Sequence, residues 1–188
     1  VHISLTEQAQ RFIAEVLHPG DVAIDATTGN GHDTLFLARQ VGSHGRVFAF
    51  DVEPAALRKA REQVTALGLQ DRLVWICHSH ETLEQHIPAP WKHDIQAVMF
   101  NLGYLPGSDK ECITTPSSTL PALDQALRLL APGGRISIIA YTGHPGGKEE
   151  ADAITRWLAA QSSLQLSWKQ IIPENRISPP RLFFIDKL

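Results

Sequence analysis

The sequence predicts an α/β protein, a seven-stranded, mostly parallel sheet with an antiparallel last strand and helices on both faces. Three observations lead there. Helical and extended patterns alternate along the 188 residues. A glycine-containing loop, "TTGNGH", follows the first extended segment and opens a helix. The last two extended segments are separated only by "PENRISPP", too short for a helical crossover, so the final strand must run antiparallel.

The elements follow in order. "SLTEQAQRFIAEVL" places Ala9, Phe12, Ile13, Val16 and Leu17 on one helical face, and Ser4 and Glu7 have capping-box spacing. "DVAIDAT" reads as a buried strand, "HDTLFLARQV" as a helix and "RVFAFDV" as a second strand. "PAALRKAREQVTAL" is a helix with Pro54 in its first turn. "LVWICHS" is the third strand, with a short helical stretch from Glu81, and "DIQAVMFNLG" is the fourth. "SSTLPALDQALRLL" repeats leucine at helical spacing, at Leu120, Leu123, Leu127 and Leu130. "APGG" is a turn, "GGRISIIAYT" the fifth strand and "KEEADAITRWLAAQ" a helix; "LQLSWKQII" and "RLFFIDKL" are the last strands. Trp75, Trp91, Trp157 and Trp168 are assigned to the core or to packing.

Composition narrows the function. The chain is 43% apolar and 20% charged, with no apolar run long enough for a membrane. No signal-peptide pattern opens it; Val1 in place of Met is compatible with a trimmed leader. Cys77 and Cys112 form no CxxC, which fits a reduced, cytoplasmic compartment. Without repeats, linkers or low-complexity tracts, residues 1–188 read as one domain, and a homodimer is left open. A net charge of −3 gives no global basic footprint, so nucleic-acid binding would need a local patch.

The loop after the first strand lies where open α/β sheets bind ligands. Gly29 and Gly31 allow close backbone approach, and the helix from His32 would aim free N–H groups into the same crevice. Asp51 ends the second strand about 20 residues on, the position from which an acid accepts ribose hydroxyls. The ligand is therefore adenosine-like. A dinucleotide fingerprint fails at Thr34, and "TGHPGGKEE" fails as a P-loop at Thr142 and Glu149. "DATTGNG", from Asp25 through Thr27, Gly29 and Asn30 to Gly31, resembles the D-x-G-x-G-x-G motif of S-adenosylmethionine-dependent methyltransferases, with Thr27 where the first glycine usually stands.

Together, "DATTGNGHDTLFLA", "FNLGYLPGSDK" and "YTGHPGGKEEADAI" resemble the putative rRNA methylase family, across essentially the whole chain; Ser108 stands where the family's "LPGGDK" has Gly. The resemblance implies a Rossmann-like class I methyltransferase fold with S-adenosylmethionine as cofactor. It also implies methylation of the aminomethyl group of 5-aminomethyl-(2-thio)uridine at the tRNA wobble position, with the anticodon stem-loop as partner. On this reading Asp25, Thr27, Gly29, Asn30, Gly31, His32, Asp33, Asp51, Ser79, His80 and Asn101 hold the cofactor.

In amino-group methyltransferases an N/D-P-P-Y stretch after the fourth strand holds the target nitrogen. Asn101 and Tyr104 keep those places, while Leu102 and Gly103 replace the prolines. Asn101 orients the amine lone pair and Tyr104 stacks on the base or walls the pocket. A primary alkylamine with a pKa of about 10.4 arrives protonated at neutral pH, so a proton must leave; Asp109 and Asp33 are candidate acceptors. Lys110, His144, Gly146, Gly147, Lys148 and Arg176 are assigned to RNA, through phosphate contacts or the base pocket. His78 and His80 make an H-x-H, but nothing completes a tetrahedral set, and no metal is expected. The alternatives are a small-molecule O- or N-methyltransferase, an rRNA methyltransferase, or a non-catalytic RNA-binding module.

Overall fold

A computed structural model describes residues 3–103, 113–162, 165–174 and 177–188. Seven strands form one sheet in the order β3-β2-β1-β4-β5-β7-β6. They are β1 (Val22–Asp25), β2 (Arg46–Phe50), β3 (Leu73–Ile76), β4 (Ile95–Leu102), β5 (Leu130–Ala140), β6 (Leu166–Ile171) and β7 (Arg181–Lys187). The first five are parallel, and β7 lies antiparallel to both β5 and β6. The fold predicted from the alternation is the fold observed. Its consequence for function is that β1 to β5 all end at one edge.

Side-chain alternation divides the core. Val22, Ile24, Phe48, Phe50, Val98 and Phe100 face α4 (Leu83–His86), α5 (Pro116–Leu129) and α6 (Gly147–Ala160), with Leu83, Leu123 and Ile154 packed on them. Ala23, Val47, Ala49, Ala97 and Met99 face α1 (Leu5–Ala14), α2 (His32–Gln40) and α3 (Pro54–Ala66), through Ile13, Leu37 and Val64.

Two predicted boundaries and one predicted burial change. The first helix ends at Ala14 rather than Leu17; the chain turns before His18-Pro19, where proline disfavours a helical residue ahead of it. "APGG" is not a turn outside the sheet. It lies inside β5 as an irregularity: Leu130 pairs with Ile95 and Arg135 with Ala97, with Gly133 at φ 76° between them. Trp168 is not core, being 36% exposed on the edge strand β6; Trp75, Trp91 and Trp157 pack as predicted.

Two local devices position the cleft. The Arg135 guanidinium on β5 donates to the Phe12 carbonyl at 2.7 Å and pairs with Glu15 at 2.6 Å and Asp186 at 2.7 Å. It thereby pins α1 across the sheet. Gly31, the N-cap of α2 at φ 80°, lies against α3, where a Cβ would come 2.8 Å from the Ala60 Cβ. Its missing side chain serves helix packing rather than ligand access. Gly31→Ala should therefore lower stability by roughly 1–3 kcal/mol in urea unfolding, through strain and overpacking.

Candidate active site

A cavity of about 700 Å³ runs along the C-terminal edge of β1 to β5. Of the residues assigned to the cofactor, Thr27, Gly29, Asn30, His32, Asp33, Asp51, Ser79, His80 and Asn101 line it. Asp25 and Gly31 stand outside that wall.

Asp25 is 1% exposed beneath the loop. It accepts the Thr34 hydroxyl at 2.5 Å and the Thr27 N–H at 3.1 Å. It is a support for the loop, not a ligand-facing group. Burial, and then the nearby Asp33 charge, push its pKa up to about 7. Thr27, in the usual glycine position, has a use for its hydroxyl, which accepts the Asn101 backbone N–H at 2.7 Å and ties the loop to β4. Asp51 shapes the loop from the other side. It accepts the Gly29 N–H at 2.8 Å and the Glu53 N–H at 2.9 Å while lining the cavity. The Asn30 amide oxygen is taken by Lys59 at 2.8 Å.

Asp33, in the first turn of α2, is 5% exposed. Its carboxylate accepts from the Gln10 side chain at 2.8 Å and from the Asn101 amide nitrogen. Burial raises its pKa, and these two hydrogen bonds and His32 oppose the rise. With an N–H given to Asp33, the Asn101 amide oxygen has no partner among the described residues and is left for a donor in the cavity.

After β3, the Ser79 hydroxyl accepts from the Glu81 N–H at 3.3 Å. Buried His80 has its pKa pushed down to about 4 by desolvation, so the ring is neutral and one of its nitrogens is an acceptor. Its Nε2 and the Thr28 hydroxyl are buried without a partner among the described residues, and both residues line the cavity. His78 stacks on His86 with ring centroids 4.3 Å apart. Among the described residues no group of three or more His, Cys, Asp or Glu could hold a metal.

The opposite wall comprises Gly103, Ile113, Thr114, Ser118, Tyr141 and His144. The Thr114 N–H donates to the Gly103 carbonyl at 3.1 Å. The Thr114 hydroxyl binds Glu150 at 2.8 Å, and Glu150, 1% exposed, also accepts from Thr119 at 2.6 Å. Gly146 and Gly147 do not line the cavity. Gly147 is buried, and the Tyr141 carbonyl occupies the space a Cβ would need. Lys148 is turned along α6 into an ion pair with Asp152 at 2.7 Å, which Arg181 shares. Tyr104, Asp109, Lys110 and Arg176 lie outside the described residues.

Sequence reasoning missed Thr6 and Gln10 of α1, which bring that helix to the cleft. Their signal was a polar pair at i, i+4 beside the apolar face. It also assigned no role to Thr28, Tyr141 or Glu150.

This sheet, with its glycine loop and the acid after β2, defines a Rossmann-like class I methyltransferase fold. The chain belongs to the family described as Putative rRNA methylase, whose model matches residues 47–186. A Clostridium thermocellum structure with the same description is 36% identical with a TM-score of 0.93, covering 100% of this chain and 99% of that one. A Streptococcus mutans protein solved in complex with SAH is 35% identical, with a TM-score of 0.88 and full coverage of both chains. The chloroplastic tRNA (mnm(5)s(2)U34)-methyltransferase of Arabidopsis thaliana is 39% identical over 159 residues. That match covers 79% of this chain and 57% of the curated protein.

The buried acid under the loop gives a signed pH dependence. Unfolded, Asp25 titrates near its ordinary value of 3.8; folded, near about 7. Between those values the folded state holds a proton the unfolded state has released, so this group's contribution to stability falls as pH rises. In urea unfolding across this window, wild type should lose stability relative to Asp25→Asn. A constant difference would contradict the assignment.

Proposed function

We propose that the chain is an S-adenosylmethionine-dependent methyltransferase that N-methylates the 5-aminomethyl group of (2-thio)uridine at the tRNA wobble position. The observation that carries this reading is Asn101. Its amide N–H is committed to Asp33, leaving its oxygen to an incoming amine in the cavity that Asp51 also lines. The chloroplast relative supports the tRNA acceptor.

The residues present fit the cofactor. Asp51 keeps acceptor capacity beyond its two loop bonds, suited to ribose hydroxyls. Thr28 and His80 offer a base buried polar atoms that have no partner among the described residues. The N-terminus of α2 offers backbone N–H groups to the amino-acid portion. When bound, S-adenosylmethionine supplies a methyl group already activated on a sulfonium. The protein's work is then to orient the amine, exclude water and manage one proton.

The RNA faces the wall formed by Gly103, Thr114, Tyr141 and His144, with Lys110 and Arg176 as candidate phosphate contacts. Lys148, engaged by Asp152, is a weaker candidate than the sequence implied. Among the described residues no helix is long and apolar enough to cross a membrane. Cys77 is an exposed thiol, in keeping with a reduced compartment such as the cytoplasm.

The reading is tested with purified protein and tRNA carrying 5-aminomethyl-2-thiouridine, followed by nucleoside mass spectrometry. One methyl group should appear on the aminomethyl nitrogen, and methylation confined to rRNA or to small molecules would refute the assignment. Asp51→Ala should weaken S-adenosylmethionine binding about ten- to a hundredfold by calorimetry, the loss of a charged hydrogen-bond acceptor of roughly 1.5–3 kcal/mol. Asn101→Ala should retain most cofactor affinity and lose most single-turnover rate, because its contact matters chiefly in the transition state.

A further inference from the structure

We propose that Asp33 takes the proton that an alkylammonium acceptor must lose before methylation, and that Gln10 of α1 is a positioning residue that holds the Asp33 carboxylate in place. The inference rests on the amine-methylating reading above, and extends it to a proton acceptor and a helix that reading does not use.

Three carboxylates line the cavity among the described residues: Asp33, Asp51 and Glu53. Asp51 and Glu53 belong to the β2 end, where Asp51 is engaged by two loop amides. Asp25 and Glu150 are buried off the wall, the one under the loop and the other on Thr114 and Thr119. Of the carboxylates among the described residues, Asp33 is the one hydrogen-bonded to Asn101, the residue that orients the amine.

Its surroundings suit a cationic ligand. Asp33 is 5% exposed, and its donors, the side-chain amides of Gln10 and Asn101, are neutral. None of the described ion pairs includes it. A buried carboxylate without a cation is costly, and a ligand ammonium would offset that cost. Each oxygen accepts one amide N–H and has a further lone pair. Among the described residues, the titratable groups acting on it are His32 beside it on α2 and Asp25 behind it on β1; α1 and β4 present uncharged amides.

The step balances without another reactant. An N–H bond of R–NH₃⁺ breaks and its electron pair stays on nitrogen. An O–H bond forms on Asp33, giving R–NH₂ and a neutral carboxyl group. Burial that raises the carboxyl pKa toward that of the amine makes this transfer less uphill. Gln10 works in the opposite sense, since its hydrogen bond favours the ionised form. Gln10 thus keeps Asp33 ready to accept, on a helix pinned by Arg135.

Two measurements test this. The first is a ¹³C-carboxyl NMR titration of the protein without cofactor, with the Asp33 signal assigned by its loss in Asp33→Asn. The wild-type Asp33 pKa should lie above the ordinary aspartate value and rise further in Gln10→Ala. The second is single-turnover methylation of the modified tRNA across a pH series. The acid limb of the Gln10→Ala rate should move up in pH with the NMR value, a shift that a merely structural role would not produce. Asp33→Asn should bind S-adenosylmethionine within about threefold of wild type and react at least about tenfold more slowly at neutral pH. Its rate should climb about tenfold per pH unit toward the free-amine value of about 10.4. The proposal is overturned if Asp33→Asn has the wild-type profile, if its main defect is lost cofactor affinity, or if Asp109→Ala shows the predicted climb instead. Should Asp33→Asn not fold, an unmoved acid limb in Gln10→Ala overturns it. A wild-type protein that leaves aminomethyl-uridine unmethylated refutes the underlying reading instead.

Discussion

Asn101 fastens the two halves of the cleft together. Its backbone N–H reaches the Thr27 hydroxyl and its side-chain amide reaches Asp33. One residue at the end of β4 thus holds both the loop after β1 and the first turn of α2. Asp33 is buried, so losing its bond to Asn101 would leave a buried acceptor unsatisfied, at a cost of about 1–3 kcal/mol. The positions of the glycine loop, the acid on α2 and the amide oxygen available to a ligand depend on this junction.

The rest of the molecule supports that junction from below and from the side. Asp25 holds the loop from beneath through Thr27 and Thr34, and Asp51 holds Gly29 from β2. α1 crosses the second face of the sheet, pinned by Arg135, and delivers Gln10 to Asp33. On the acceptor side, Glu150 ties α6 to Thr114 and α5. The site sets Asp51, which accepts backbone N–H groups, against Asp33, whose hydrogen bonds among the described residues come from neutral side-chain amides. The chemistry proposed here follows from that contrast.

The parallel sheet was legible in the sequence because buried strands and amphipathic helices carry different periods, and because β6 and β7 are joined by a loop too short to cross over. Asp51 and Asn101 were legible because strand ends in this architecture converge on one edge. Asp25 was read as a cofactor residue from motif spacing, yet it is buried beneath the loop; spacing does not say on which side of a loop an acid lies. Gly31 was read as clearing space for a ligand, but the space it clears belongs to Ala60 on α3. Gln10 was invisible because it is distant in sequence from the motif it serves and sits on a helix that reads as ordinary packing. "APGG" has the composition of a turn, and it falls within a strand because Leu130 and Arg135 on either side of it both pair with β4.

A crystal structure of the protein with S-adenosylhomocysteine would show whether the Asn101 junction organises the cofactor cleft. The ribose hydroxyls should lie on Asp51, the base beside His80 and Thr28, and the sulfur facing Asn101, with both Asn101 bonds kept. A ligand bound elsewhere, or an Asn101 side chain turned away from Asp33 in the complex, would contradict it.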